Sequence, residues 1–146
     1  MNNFKIALVA MAMAVSSPAL ANDERGSIVG AWSMTSLQFT DASGRQNTIP
    51  YSGQVIFSKS GTLSVQAMNP DAAAEPTPYT ANGYEAYYGP VEIDEAKKTF
   101  AITVGSSLVR DLIGQRLERN FEVTEDQLVI TPTNAAEGWR VTYERL

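Results

Sequence analysis

Two residue types are missing from this 146-residue chain altogether: it has no cysteine and no histidine. Without cysteine there can be no disulfide framework, no thiol nucleophile and no lipid attached at a cysteine. Without histidine the Ser-His-Asp and Cys-His nucleophile systems are excluded. So are the imidazole sites that hold zinc, copper or non-haem iron. A metal would need an all-oxygen site, and no D-x-[DN]-x-[DN]-G calcium loop is present. No cofactor and no metal are therefore assigned. Basic clusters are also missing. The chain has 11 Lys+Arg against 16 Asp+Glu, which argues against nucleic acid and against anionic lipid surfaces.

Long apolar runs are scarce. The uncharged run Ile6 to Val15 is far short of the roughly 20 residues that cross a bilayer as a helix. Preceded by Lys5 and followed by Ala19-Leu20-Ala21, it has the layout of a leader cut after Ala21. Residues 1–21 are expected to be a signal peptide and 22–146 a single domain. With Lys5 removed, 10 basic residues face 16 acidic ones, a net charge of −6. An exported domain of this size without disulfides points to a periplasmic or secreted location.

The rest of the chain reads as short strands. In TLSVQA, Leu63, Val65 and Ala67 alternate with Thr62, Ser64 and Gln66, the period of a half-buried strand. VEID, TFAITV and Gln115–Val123 repeat the pattern, and Gly- or Asp-containing turns join neighbours as hairpins. Ile28–Phe39, Gly53–Ser58, QLVIT (127–131) and Trp139–Arg145 complete eight candidate strands. Eight strands in a meander can close on themselves and leave no exposed edge. The expected fold is all-β, an eight-stranded antiparallel up-and-down barrel with one short helix. That helix is placed near YTANGYEAYYG, capped by Thr80, where Tyr84 would share a face with Tyr87 or Tyr88. An outer-membrane barrel needs strands of about 9–11 residues with an apolar outer band. Several strands here are shorter, and Glu118, Asn120 and Glu122 would meet lipid. No stable membrane insertion is expected.

The order of short motifs resembles a lipocalin-like domain family found in bacteria and fungi. The opening IVGAWSMTSLQFTDASG carries G-x-W as Gly30 and Trp32. Gly61-Thr-Leu-Ser-Val-Gln66, Ala86-Tyr-Tyr-Gly-Pro-Val-Glu-Ile-Asp94, Arg119-Asn-Phe-Glu-Val123 and Leu128–Thr131 come next, and the last strand closes on Arg145. The resemblance spans residues 28–146 and implies a barrel with a cavity. It also implies that Arg145 covers Trp32 as a structural plug. Two departures stand out. Thr99–Val104 lacks the histidine frequent in the family, and the connector SSLVRDLIGQR lacks an aromatic residue before Gly114.

Arg119 is the residue that most needs a partner. It falls on the apolar face of its strand with Leu117, Phe121 and Val123, and an unpaired buried guanidinium is very costly. It is either a clamp for a ligand carboxylate or phosphate, or an internal brace on an acid or a tyrosine hydroxyl. Tyr84, Tyr87 and Tyr88 either line a pocket mouth or cap the core, and Tyr79 is expected to pack at the rim. Phe57, Phe121 and Trp139 complete the candidate binding wall. The connector residues Leu108, Val109, Leu112 and Ile113 are core cover, a portal, or the surface of a homodimer. Asp94-Glu95 and Glu125-Asp126 read as solvated turn residues.

Three functions compete. The leading one is a barrel that binds a small hydrophobic or amphipathic molecule, with Arg119 as polar anchor. The second is a cavity enzyme of isomerase, cyclase or hydrolase type. With no histidine, its acid–base work falls to an acid such as Glu85 and a tyrosine. No inward Asp or Glu is evident on a clearly alternating strand, which counts against it. The third is an interaction module with a filled barrel.

Overall fold

The computed structural model describes residues 27–146. The expected leader, residues 1–21, lies outside them. Ten strands run in order: β1 Gly30–Thr40, β2 Gln46–Ile49, β3 Ser52–Phe57, β4 Thr62–Met68, β5 Tyr84–Asp94, β6 Thr99–Thr103, β7 Ser106–Ser107, β8 Arg116–Val123, β9 Gln127–Pro132 and β10 Trp139–Arg145. Eight of them close a barrel in the cyclic order β1-β3-β4-β5-β6-β8-β9-β10. All pairings are antiparallel, and β10 returns to β1 from Trp32↔Arg145 to Phe39↔Trp139. β2 extends the far half of β1, and β7 extends β5 at Tyr87 and Tyr88. The eight strands anticipated from alternation are all present.

Strand β1 shows why a long apolar stretch need not alternate cleanly. Its register with β10 shifts between Met34 and Ser36. A bulge of this kind inserts one residue and inverts the phase of the residues beyond it. Trp32 and Met34 point inward before it, and Leu37 faces the interior after it.

The expected helix does not form. The described helical pieces are single 3-10 turns at Arg110–Leu112 and Ala135–Glu137. Tyr84–Pro90 is strand, paired with β4 from Met68↔Tyr84 to Thr62↔Pro90. Four-residue spacing among tyrosines is a weak signal over one turn. A β4 edge of seven residues offers a full ladder to aromatic residues that favour strands. Gly89 makes the close passage possible: a β-carbon there would lie 2.0 Å from the Thr103 carbonyl oxygen.

The two ends of the barrel differ. Tight hairpins at residues 58–61, 95–98 and 124–126 gather at one end, with the buried Ile28 and Trp32. Arg145 Cζ lies 3.9 Å from the centre of the Trp32 ring. Its guanidinium donates to Ser27 O at 2.9 Å and to Glu125 O at 2.6 Å. The Trp32 indole N–H donates to Ile28 O at 2.9 Å. Gly30 adopts φ +141°, and a β-carbon there would sit 3.0 Å from Arg145 Nη1. The G-x-W opening thus leaves room for the guanidinium that covers the tryptophan, as the resemblance implied. At the other end the longer segments 69–83 and 104–115 cross the rim.

Arg145→Ala removes the stacked cation and several hydrogen bonds to carbonyls. It is expected to cost about 2–3 kcal/mol in urea unfolding. Arg140→Ala, on the same strand and facing water, should stay within about 0.5 kcal/mol; equal losses would show that the plug contributes nothing special.

Candidate functional site

The barrel is hollow at its long-loop end. A cavity of about 290 Å³ lies among inward residues of β1, β3, β4, β5, β6, β8, β9 and β10. Its lower wall is aliphatic and aromatic, with Val55, Leu63, Val65 and Phe100. Phe57 packs edge-on against Phe100 at 5.0 Å, and Phe121 tilts against it at 6.4 Å. Both rings are almost wholly buried and form the floor beneath the cavity. The segment 69–83 arches over the mouth, its neck tied by Asn69 N–H to Gly83 O at 2.8 Å. Thr77, Pro78, Tyr79 and Thr80 from this arch line the cavity. The Thr77 and Thr80 hydroxyls hydrogen-bond each other at 2.9 Å, which holds the arch in shape.

Arg119 enters the cavity from β8, where alternation with the buried Leu117 and Phe121 forces it inward. Its Nη1 donates to its neighbour's carbonyl, Glu118 O, at 2.8 Å. Its Nη2 donates to the Tyr79 hydroxyl at 3.0 Å. The guanidinium carbon lies 5.6 Å from the Tyr79 ring centre and 5.1 Å from that of Trp139, close enough for cation–π attraction. The tyrosine brace is therefore present. A guanidinium has five N–H donors, so two protein acceptors leave donor capacity on the cavity side.

Opposite in charge to Arg119 stands Glu85, on β5. It is half-buried, because water-sized molecules reach it through the cavity, while protein encloses it elsewhere. Burial raises its carboxyl to about 7, against the ordinary 4.5, with the Arg119 charge and the Tyr87 hydroxyl pulling the other way. Burial raises Tyr87 well above its ordinary value, and the Glu85 charge adds to the rise. Tyr143 on β10 is raised for the same two reasons, in the same order. Tyr51, just before β3, is raised by burial, with a smaller push from Glu85. All three hydroxyls remain protonated donors at neutral pH.

Of the residues picked out in the sequence, the structure brings Arg119, Tyr87 and Trp139 to the cavity. Phe57 and Phe121 lie in the floor and do not line it. Tyr84 and Tyr88 are corrected: on a strand they alternate with Glu85 and Tyr87, so they point outward, 37% and 49% exposed. Tyr79 does more than pack at the rim, since it holds the arginine. The expectation that no acid points inward is overturned by Glu85. Carrying the alternation of Val91 and Ile93 backward through Gly89 and Tyr87 reaches Glu85, and that signal was in the sequence. Of the connector, Leu112 is buried and Val109 packs on the core, while Leu108 and Ile113 face solvent. None of the four lines the cavity.

A closed antiparallel barrel with one capped end, one arched mouth and an apolar cavity defines the class: a calyx-shaped β-barrel. The model of the lipocalin-like domain family matches residues 29–144, and the chain belongs to that family. No curated protein matches the chain.

Glu85 links the cavity to stability. An unfolded glutamate releases its proton near 4.5, and the folded Glu85 holds it to about 7. Between those values the folded state binds the extra proton, so stability falls as pH rises and levels off above about 7. Glu85→Gln removes that slope. At pH 8 the variant should be about 3 kcal/mol more stable in urea unfolding, and near pH 4.5 the two should agree.

Proposed function

We propose that this protein is an exported carrier that binds a small hydrophobic or amphipathic molecule in the barrel cavity, with Arg119 as its polar anchor. One observation carries the reading: a cavity of about 290 Å³ with an apolar wall and a single guanidinium that keeps donors free of protein acceptors. Ligand sites have this character, mostly apolar with few convergent polar groups. A filled-barrel module does not fit a hollow interior. The outward sides of the strands carry Gln66, Glu92, Arg116, Glu118, Glu122 and Arg140, all exposed. A lipid-facing band would desolvate every one of them, which supports a barrel in water.

The cavity volume suits a ligand with about ten methylenes. Burying these gains about 8 kcal/mol, and one charge-assisted hydrogen bond adds about 2 kcal/mol. Association costs at least about 4 kcal/mol. The surplus of about 6 kcal/mol corresponds to a Kd of some tens of micromolar.

N-phenyl-1-naphthylamine, a neutral dye that brightens in apolar surroundings, should bind saturably at one site. Ala67 lines the cavity, so Ala67→Phe should project a ring into it. That variant should keep cooperative unfolding and weaken the dye at least about tenfold, because the ring occupies volume the dye needs and a packed interior gives way only at a cost. Unsaturable dye emission, or emission unchanged by the filling substitution, would sink the carrier reading.

Glu85 favours a second reading, proton-transfer catalysis in the same cavity. Its carboxylate would take a proton from carbon next to a ligand carbonyl whose oxygen accepts from Arg119. The C–H electron pair moves into the new C=C bond and the carbonyl pair onto oxygen. Returning the proton to another carbon gives an isomer with no co-reactant. Cyclohex-3-en-1-one should then convert to its conjugated isomer, followed by ultraviolet absorbance. General acid–base catalysis is worth roughly 100-fold or more, so Glu85→Gln should slow conversion by that factor. Equal rates in the two proteins would remove this reading.

A further inference from the structure

We infer that the cavity selects amphipathic monoanions, such as medium-chain carboxylates, and binds each with Glu85 protonated, taking up the proton with the anion in alkaline solution. The inference rests on the carrier reading and narrows its ligand class.

The charges on the cavity wall are few. Among the lining residues only Glu85 and Arg119 carry formal charge. The other groups that face Glu85 are tyrosines: Tyr87 on its own strand, Tyr143 on β10, Tyr51 before β3 and Tyr79 on the arch. The remaining strands present Met34 and Leu37 from β1, Val65 and Ala67 from β4, Phe100 from β6 and Ile130 from β9, none of which titrates. Among the described residues, Arg119 is thus the one cation that acts on Glu85. The hydrogen bonds of Arg119 go to Tyr79 and Glu118 O, and none joins it to Glu85.

The two charges are unequal in one respect. A guanidinium cannot lose its proton in a folded protein, whereas a carboxylate can gain one. The fixed charge of the cavity is positive and the adjustable charge is negative. A cationic ligand would meet Arg119 with no way to relieve the repulsion. With Glu85 ionised the wall is neutral overall, and adding a monoanion leaves an unbalanced negative charge in apolar surroundings. With Glu85 protonated the wall carries a single positive charge, and a carboxylate on Arg119 restores neutrality. The planar fork also matches a carboxylate in shape, so two parallel hydrogen bonds can form. Anion and proton therefore bind together, and each strengthens the other by the same factor.

Glu85 is suited to this exchange because burial already brings its carboxyl to about 7. A ligand carboxylate nearby raises it further. Below about pH 7 the proton is in place and the anion binds at full strength. Above it, each anion must bring a proton, and affinity falls by up to roughly tenfold per pH unit.

Isothermal titration with decanoate and with 1-decanol, from pH 6 to pH 9, tests this. Decanoate is ionised throughout, and decanol is never charged. Decanoate should weaken by roughly tenfold or more between pH 7 and pH 9, while decanol stays level. In Glu85→Gln, decanoate should also stay level. At pH 8, titrations in phosphate and in Tris, which differ in heat of ionisation, should show about one proton taken up per decanoate and none per decanol. That last measurement needs no variant, so the test survives if Glu85→Gln fails to fold. Decanol that binds beside decanoate with no proton uptake overturns the inference and leaves the carrier reading standing. A pH slope that persists unchanged in a folded Glu85→Gln variant overturns it as well. If neither compound binds and the dye does not either, the carrier reading has failed and the inference falls with it.

Discussion

Everything in this molecule depends on β10 finding β1. The strands between them are joined in sequence, and local turns can pair most of them. Only the ladder from Trp32↔Arg145 to Phe39↔Trp139 closes the sheet. Closure satisfies the last row of backbone donors and acceptors, which on an open edge would recruit other strands. It also creates an inside. Without it, the inward residues of eight strands would be one face of a sheet, with no enclosed volume.

The same ladder joins the two ends of the barrel. At its lower end Arg145 covers Trp32, and Gly30 gives the guanidinium its space. At its upper end Trp139 stands 5.1 Å from Arg119 at the cavity mouth. Two arginines on aromatic rings thus play different parts. Arg145 donates to backbone carbonyls of a sealed end. Arg119 is braced by one tyrosine and one carbonyl, and it faces open volume with an acid nearby. Burial around that volume, rather than any single contact, shifts the acid and the phenols. Low local polarisability makes each charge there matter more than it would on the surface.

The strands were legible because alternation is a direct consequence of a sheet with one wet face. Thr62–Ala67 and Gln115–Val123 show it without interruption, and Arg119 stood out against its apolar neighbours for the same reason. The tyrosine cluster was harder. Tyr84, Tyr87 and Tyr88 fit one helical turn as well as a strand, and local propensity does not separate the two at that length. β4 resolved it by supplying a partner, and this turned Tyr84 and Tyr88 out and Glu85 in. The bulge in β1 is another feature that local pattern hides. It changes phase within one strand and sends Leu37 to the cavity.

By itself, then, the sequence determined the all-β class, the number of barrel strands, the inward guanidinium and the Trp32–Arg145 plug. These come from residue period and from the cost of burying charge, which act over a few neighbours, and, for the plug, from the family resemblance. Residue pattern left hollowness open, although the family resemblance implied a cavity; the partner that holds Arg119 and the meeting of that arginine with Glu85 in one cavity were decided by tertiary structure. A filled barrel and an empty one ask for the same apolar inward residues. Which one forms depends on how far the strands splay and where the arch at 69–83 comes to rest. Glu85 and Arg119 are far apart in the chain and lie on strands that are not neighbours, so no local pattern connects them. Only closure brings them to one cavity, and only the surrounding wall gives the carboxyl its raised affinity for a proton.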